Sequence, residues 1–155
     1  MRILTTIFQR FCRLTKLPHN EQALLLLAFA LCGLFRFMLL CIPFRYLVRY
    51  MVKENKCKAI DSSEIIKRNC LTIARIIDVV ATKTPWESKC LVCALVAKTL
   101  LRIFYYPNEL YLGVKKDKNG KLIAHAWLNS YGYNISGGSD EANIGYAVVG
   151  KYFDE

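Results

Sequence analysis

The side chains best suited to covalent chemistry are cysteine and histidine, and the chain has seven of the first and two of the second. Cysteine acts through its thiolate, which a helix N-terminus or a nearby imidazolium stabilises. Cys90 lies near the start of the apolar stretch TPWESKCLVCALVAKTLLRIF, and His125 lies in the middle of KLIAHAWLNS. If the first segment is a helix packed on a strand made by the second, Cys90 is the nucleophile and His125 its base. The backbone N–H of Cys90 then serves as one oxyanion donor, because early helical N–H groups have no partner within their own helix. A lone histidine on a half-buried strand is ordinarily structural, and the cysteine is what changes its weight. His19 sits in a polar Leu-Pro-His-Asn turn and reads as a solvated loop residue. Cys90-x-x-Cys93 has the spacing of a redox or zinc half-site, but no second pair or adjacent histidine completes it. No metal or cofactor is therefore expected. Cys93 reads as core, and Cys12, Cys32, Cys41, Cys57 and Cys70 as small hydrophobes.

The elements that must position this pair are legible from period. Asp61-Ser62-Ser63-Glu64 starts a helix whose Ile66, Cys70, Ile73, Ile77 and Val80 fall on one face. Thr82-Lys83-Thr84-Pro85 ends it. A second helix follows, with Thr84 and Glu87 as a capping box around Pro85, or Ser88 as a later cap. Cys90, Ala94, Ala97, Leu101 and Phe104 share one side of it. The period then changes from helical to alternating. ELYLGVKK and KLIAHAWLNS form a hairpin across Asp117-Lys118-Asn119-Gly120. Tyr131-Gly132 is a second tight turn leading into YNIS, and IGYAVVGKYF is a last strand after GGSDEAN. Helices first and an antiparallel meander after them predict an α+β domain.

The front of the chain is different in kind. The net charge is +10, and residues 1–58 hold ten bases against Glu21 and Glu54, so +8 of it lies there. RILTTIFQRFCRLTK reads as a short amphipathic helix. After the Leu17–Asn20 break, with Asn20 the expected N-cap, residues 23–44 carry one charge, Arg36. That run is long enough to span a bilayer, which needs about 20 apolar residues. Arg36 near its middle and Pro43 at its end favour a helix buried on the domain or lying at an interface. KENKCKA at 53–59 is a polar linker, dividing a basic apolar helical region at 1–58 from a catalytic domain at 59–155. The 54% hydrophobic and 22% charged composition excludes disorder and coiled coil. The bases lack the motifs of nucleic-acid modules, so an acidic protein partner or an anionic membrane fits better. An odd number of cysteines points to free thiols in a reducing, cytoplasmic setting, with attachment to the inner membrane face open.

PWESKCLVCALVAKTLL followed by LYLGVKKDKNGKLIAHAWLNSYGYNISGG resembles the lasso-peptide leader peptidases, transglutaminase-like cysteine proteases of bacterial peptide biosynthesis. The likeness runs from about Pro85 to Phe153. Trp–Cys-Leu, Leu-Gly-Val and Ala-His-Ala-Trp as a set carry it, while His-Ala-Trp alone occurs across the wider superfamily. The resemblance implies a papain/transglutaminase-like core with Cys90 as nucleophile and His125 as base. It implies a substrate, the leader of a ribosomally made precursor, and two partners: a small leader-binding protein and an asparagine-synthetase-like cyclase. The basic front end would dock on a partner, on the peptide or on the membrane that carries an exporter. A transglutaminase-type acyltransferase and a non-catalytic membrane adaptor are the other classes this pattern admits.

The third catalytic member is where the chain departs from the superfamily. With Tyr131-Gly132 as a two-residue turn, Ser130 faces Tyr133, and Ser136 falls diagonal to His125 on the same face. The superfamily usually has an aspartate near there. A serine accepts a hydrogen bond but cannot stabilise an imidazolium by charge. Either Asp140 swings back through Gly137-Gly138 to orient His125, or the enzyme is a dyad with a weak third contact.

Overall fold

The computed structural model describes residues 18–51, 63–83, 90–139 and 143–154. Its elements are α1 (His19–Cys41), α2 (Phe44–Met51), α3 (Ser63–Lys83), α4 (Cys90–Ile103), β1 (Asn108–Lys116), β2 (Leu122–Ser130), β3 (Tyr133–Ser136) and β4 (Ala147–Asp154). This is the predicted α+β arrangement, helices followed by a small antiparallel sheet. The capping residues expected at 84–88 and the polar linker at 53–59 lie outside the described residues.

α4 is the central element. It is apolar nearly all round because it is covered nearly all round: it packs on α1, α3 and three strands. Val92 through Ala97, Leu100 and Leu101 are buried. α3 gives Ile66, Cys70, Ile73, Ile77 and Val80 to the same core, the face its spacing predicts. α1 adds Ala28, Cys32 and Phe35 to it.

Three expectations are corrected. Asn20 lies inside the first turn of α1, and Pro18 is the N-cap; its carbonyl accepts from the N–H groups of Glu21 (2.9 Å) and Gln22 (3.1 Å). Proline's fixed φ starts a helix without a side-chain cap, so His19 opens the helix, exposed, instead of sitting in a turn. The strands are also not a simple meander. Their order is β3-β2-β1-β4, so the last strand returns to the free edge of β1. Finally, β3 is out of the register that its turn sets. Tyr131 (φ 50°) and Gly132 (φ 79°) make the tight turn, pairing Ser130 with Tyr133 and Asn129 with Asn134. A bulge then pairs Leu128 with Ser136, leaving Ile135 as the extra residue.

Where α4 ends and the sheet begins, a buried ionic cluster joins them. Asp154 Oδ2 accepts from Lys98 Nζ (2.8 Å), Arg102 Nε (2.7 Å) and Asn108 Nδ2 (3.0 Å), and Oδ1 from a second Arg102 nitrogen (2.8 Å). Lys98 Nζ also reaches Asn108 Oδ1 at 2.9 Å. Lys98, Asn108 and Asp154 are buried. Burial alone pushes the Asp154 carboxyl up, but hydrogen bonds from Arg102, Lys98 and Asn108 outweigh it and hold it below its ordinary value. A buried cluster of this kind adds little against an apolar alternative, yet removing one member strands the others. Asp154→Ala should therefore lose about 3–5 kcal/mol in urea unfolding. Because the folded carboxyl titrates low, this stability is complete above roughly pH 4, the ordinary carboxylate value. It is lost as pH falls through the lower folded value, and Asp154→Asn should flatten that acid limb.

Candidate active site

Cys90 is the first residue of α4, half-buried and packed against the hydrophobic core. Its backbone N–H belongs to the first helical turn, where no intrahelical acceptor exists. One turn on, Cys93 is sealed in the core, and burial first, with Cys32 and Cys90 nearby, pushes its thiol up to about 12. Cys70 is likewise raised by burial, partly offset by Ser130 at 3.9 Å. Among the described residues no cluster of three or more potential ligands could hold a metal.

His125 projects from the other side of the sheet. Strand alternation decides this: Ala126 and Leu128 of β2 enter the helix-packed core, so His125 and Trp127 point the opposite way. On that face Trp127 lies across from Tyr111 of β1, their rings stacked at 5.4 Å. The imidazole sits 6.0 Å from the Trp127 ring and 5.1 Å from that of Tyr146. Gly113, directly across from His125, is what lets the cluster close. A Cβ there would come within 2.8 Å of the Trp127 ring and 2.9 Å of Tyr146 Cβ.

One hydrogen bond orients the imidazole: His125 Nε2 donates to the Gly137 carbonyl at 2.7 Å. A carbonyl only accepts, so Nε2 carries the hydrogen and the neutral ring keeps its lone pair on Nδ1. Gly137 holds this position with φ +97° and lies so close to β2 that a Cβ would be 2.5 Å from Trp127 Cβ and 2.6 Å from the Ala126 oxygen. Ser136 does not share this face. The bulge sets it opposite Leu128, and a slip of one residue turns a side chain to the other face. Ser136 is buried, and its Oγ has no hydrogen-bond partner among the described residues. Asp140 lies outside the described residues.

The structure thus places Cys90 in the helix layer and His125 on the outer sheet face, with no hydrogen bond between them among the described residues. β3 pairs with β2 only from Ser130 to Leu128, so beyond Leu128 that edge of β2 has no strand partner among the described residues. The Gly137 carbonyl and Tyr146 are the contacts that the sequence did not disclose. A backbone carbonyl leaves no mark on sequence, and the Gly137-Gly138 pair is the nearest thing to a signal.

Helices followed by a small four-stranded antiparallel sheet make an α+β core of the transglutaminase-like kind. The chain belongs to the transglutaminase-like superfamily, whose family model matches residues 38–150, from late α1 into β4. That superfamily includes cysteine peptidases and acyltransferases and is typically catalytic. No curated protein and no solved structure matches the chain significantly.

Two substitutions separate the candidates for the third position. Ser136→Ala should leave turnover unchanged and hold or raise stability by up to about 1–3 kcal/mol, since it deletes an unsatisfied buried hydroxyl. Gly137→Ala should cost at least about 1–3 kcal/mol through its left-handed backbone and the contact with Trp127. Unfolding midpoints and turnover of both variants check this; a loss of turnover in Ser136→Ala with the fold intact would return Ser136 to the site.

Proposed function

We propose that this chain is a cysteine peptidase that removes the leader from a ribosomally made lasso precursor peptide, with Cys90 as nucleophile and His125 as base. The observation that carries the reading is the Nε2 anchor on Gly137, which leaves Nδ1 as the proton acceptor of an otherwise aromatic-walled imidazole. The superfamily match supports a thiol-dependent acyl transfer. The leader as substrate rests on the resemblance of the Cys90 and His125 segments to leader peptidases.

In this mechanism His125 Nδ1 takes the Cys90 proton, and the thiolate attacks the scissile carbonyl. The tetrahedral oxyanion is held by backbone N–H groups that include that of Cys90. The imidazolium then protonates the leaving amine, freeing the core peptide, and a thioester to the leader remains. Water, deprotonated by His125, attacks the thioester and releases the leader acid and the thiol. Catalytic hydrogen bonds in unliganded enzymes are often long and tighten only with substrate bound.

Gly137 orients His125 but brings no negative charge to the imidazolium, so turnover is modest unless Asp140 supplies it. A small leader-binding protein would deliver the substrate, and a cyclase would use the freed amine.

The test is to incubate a lasso precursor and its leader-binding protein with wild type, Cys90→Ala and His125→Ala, and to weigh the products. Wild type should yield leader and core separated by one hydrolysis. Cys90→Ala should yield none, and His125→Ala roughly 10²–10⁴-fold less. A leader adduct with added amine would make the chain an acyltransferase instead. In parallel, iodoacetamide at neutral pH should label Cys90 ahead of the exposed Cys41, with that lead lost in His125→Ala. Faster labelling of Cys41 and no effect of His125→Ala would favour the non-catalytic adaptor.

A further inference from the structure

α1 presents a wholly apolar stripe outward. Its inward seam is Ala28, Cys32 and Phe35, all buried. On the opposite side, Ala23, Leu26, Ala30, Leu34, Phe37 and Cys41 recur at steps of three and four, every one exposed. Leu26 is 72% exposed, Phe37 64% and Leu40, beside the stripe, 71%. A helix on a water-exposed surface normally turns charges outward, and this stripe has none. By length and composition α1 could cross a membrane, yet it is tied to the domain along its whole seam and by the ion pair of Glu21 with Arg75 of α3. A helix held that way along one side cannot be surrounded by lipid.

We infer that α1 docks lengthwise on an anionic lipid surface, its outward stripe in the acyl boundary and the domain outside. Charge complementarity selects this occupant. In sequence, Arg10, Arg13 and Lys16 precede the helix, and Arg45, Arg49 and Lys53 follow it. Residues 1–58 hold only two acids, one of which, Glu21, is paired with Arg75. A basic sequence on both sides of an apolar helix favours a surface of lipid phosphates over a neutral one. Each base near such a surface adds attraction that salt weakens. The featureless outward stripe, without a polar group to fix a register, suits a lipid boundary better than a specific protein groove. This inference stands on α1 and its flanking bases, and holds or fails independently of the peptidase reading.

The full chain is sedimented with vesicles of phosphatidylcholine alone or mixed with phosphatidylglycerol. Binding should be at least about tenfold stronger on the anionic vesicles, weaken with salt, and be reversed by alkaline carbonate. The triple variant Leu26→Gln, Phe37→Gln, Leu40→Gln should lose that binding at least about tenfold while its thermal melt is unchanged, since these side chains are exposed. Three results would each overturn the inference: equal binding on both vesicles, or none; retention after carbonate, which means a spanning helix; or a dimer that the triple variant converts to monomer, which means a second copy covers the stripe.

Discussion

The position of α4 on the sheet is set by one buried carboxylate. Asp154 ends the last strand, and its two oxygens gather Lys98 and Arg102 from α4 and Asn108 from the first residue of β1. Apolar packing is non-directional and would let the helix slide or rotate, whereas hydrogen bonds to a charged group fix both. With Lys98 and Arg102 held, the start of α4, and with it Cys90, is placed relative to β1 and β2. The clamp lies at the far end of the helix from the thiol, so it sets the frame of the site without taking part in it.

Within that frame the sheet decides what His125 can touch. Alternation gives Ala126 and Leu128 to the core and leaves His125 and Trp127 to the outer face with Tyr111 and Tyr146. The bulge in β3 turns Ser136 inward and brings Gly137 against β2, where its carbonyl fixes the imidazole tautomer. A main-chain carbonyl thus holds the imidazole in place without bringing a charge to it.

Most elements were legible in the sequence because each obeys one period: α3 in Ile66 to Val80, α4 in Cys90 to Phe104, the first hairpin across Asp117–Gly120. What escaped was long-range or backbone-borne. The position of β4 beside β1 is a tertiary choice between two free edges, and alternation within β4 is the same for either. The bulge at Ile135 has no residue signature and reverses the face of Ser136. Lys98 within ALVAKTLL was a readable sign that a buried charge needed a partner, although nothing local pointed to Asp154, 56 positions later. For the site, Cys90 and His125 are distinguished by residue type and neighbours, while the group that orients His125 is a carbonyl common to every residue.

The central claim is that His125 is held as the Nε2–H tautomer with Nδ1 available to the thiol. Two-bond ¹H–¹⁵N spectra of the imidazole, recorded on the full chain before and after alkylation of Cys90, test it most directly. The account predicts the Nε2–H pattern for neutral His125 and a displaced Nδ1 resonance once the sulfur is blocked. A protonated Nδ1, or an Nδ1 indifferent to the alkylation of Cys90, would contradict it.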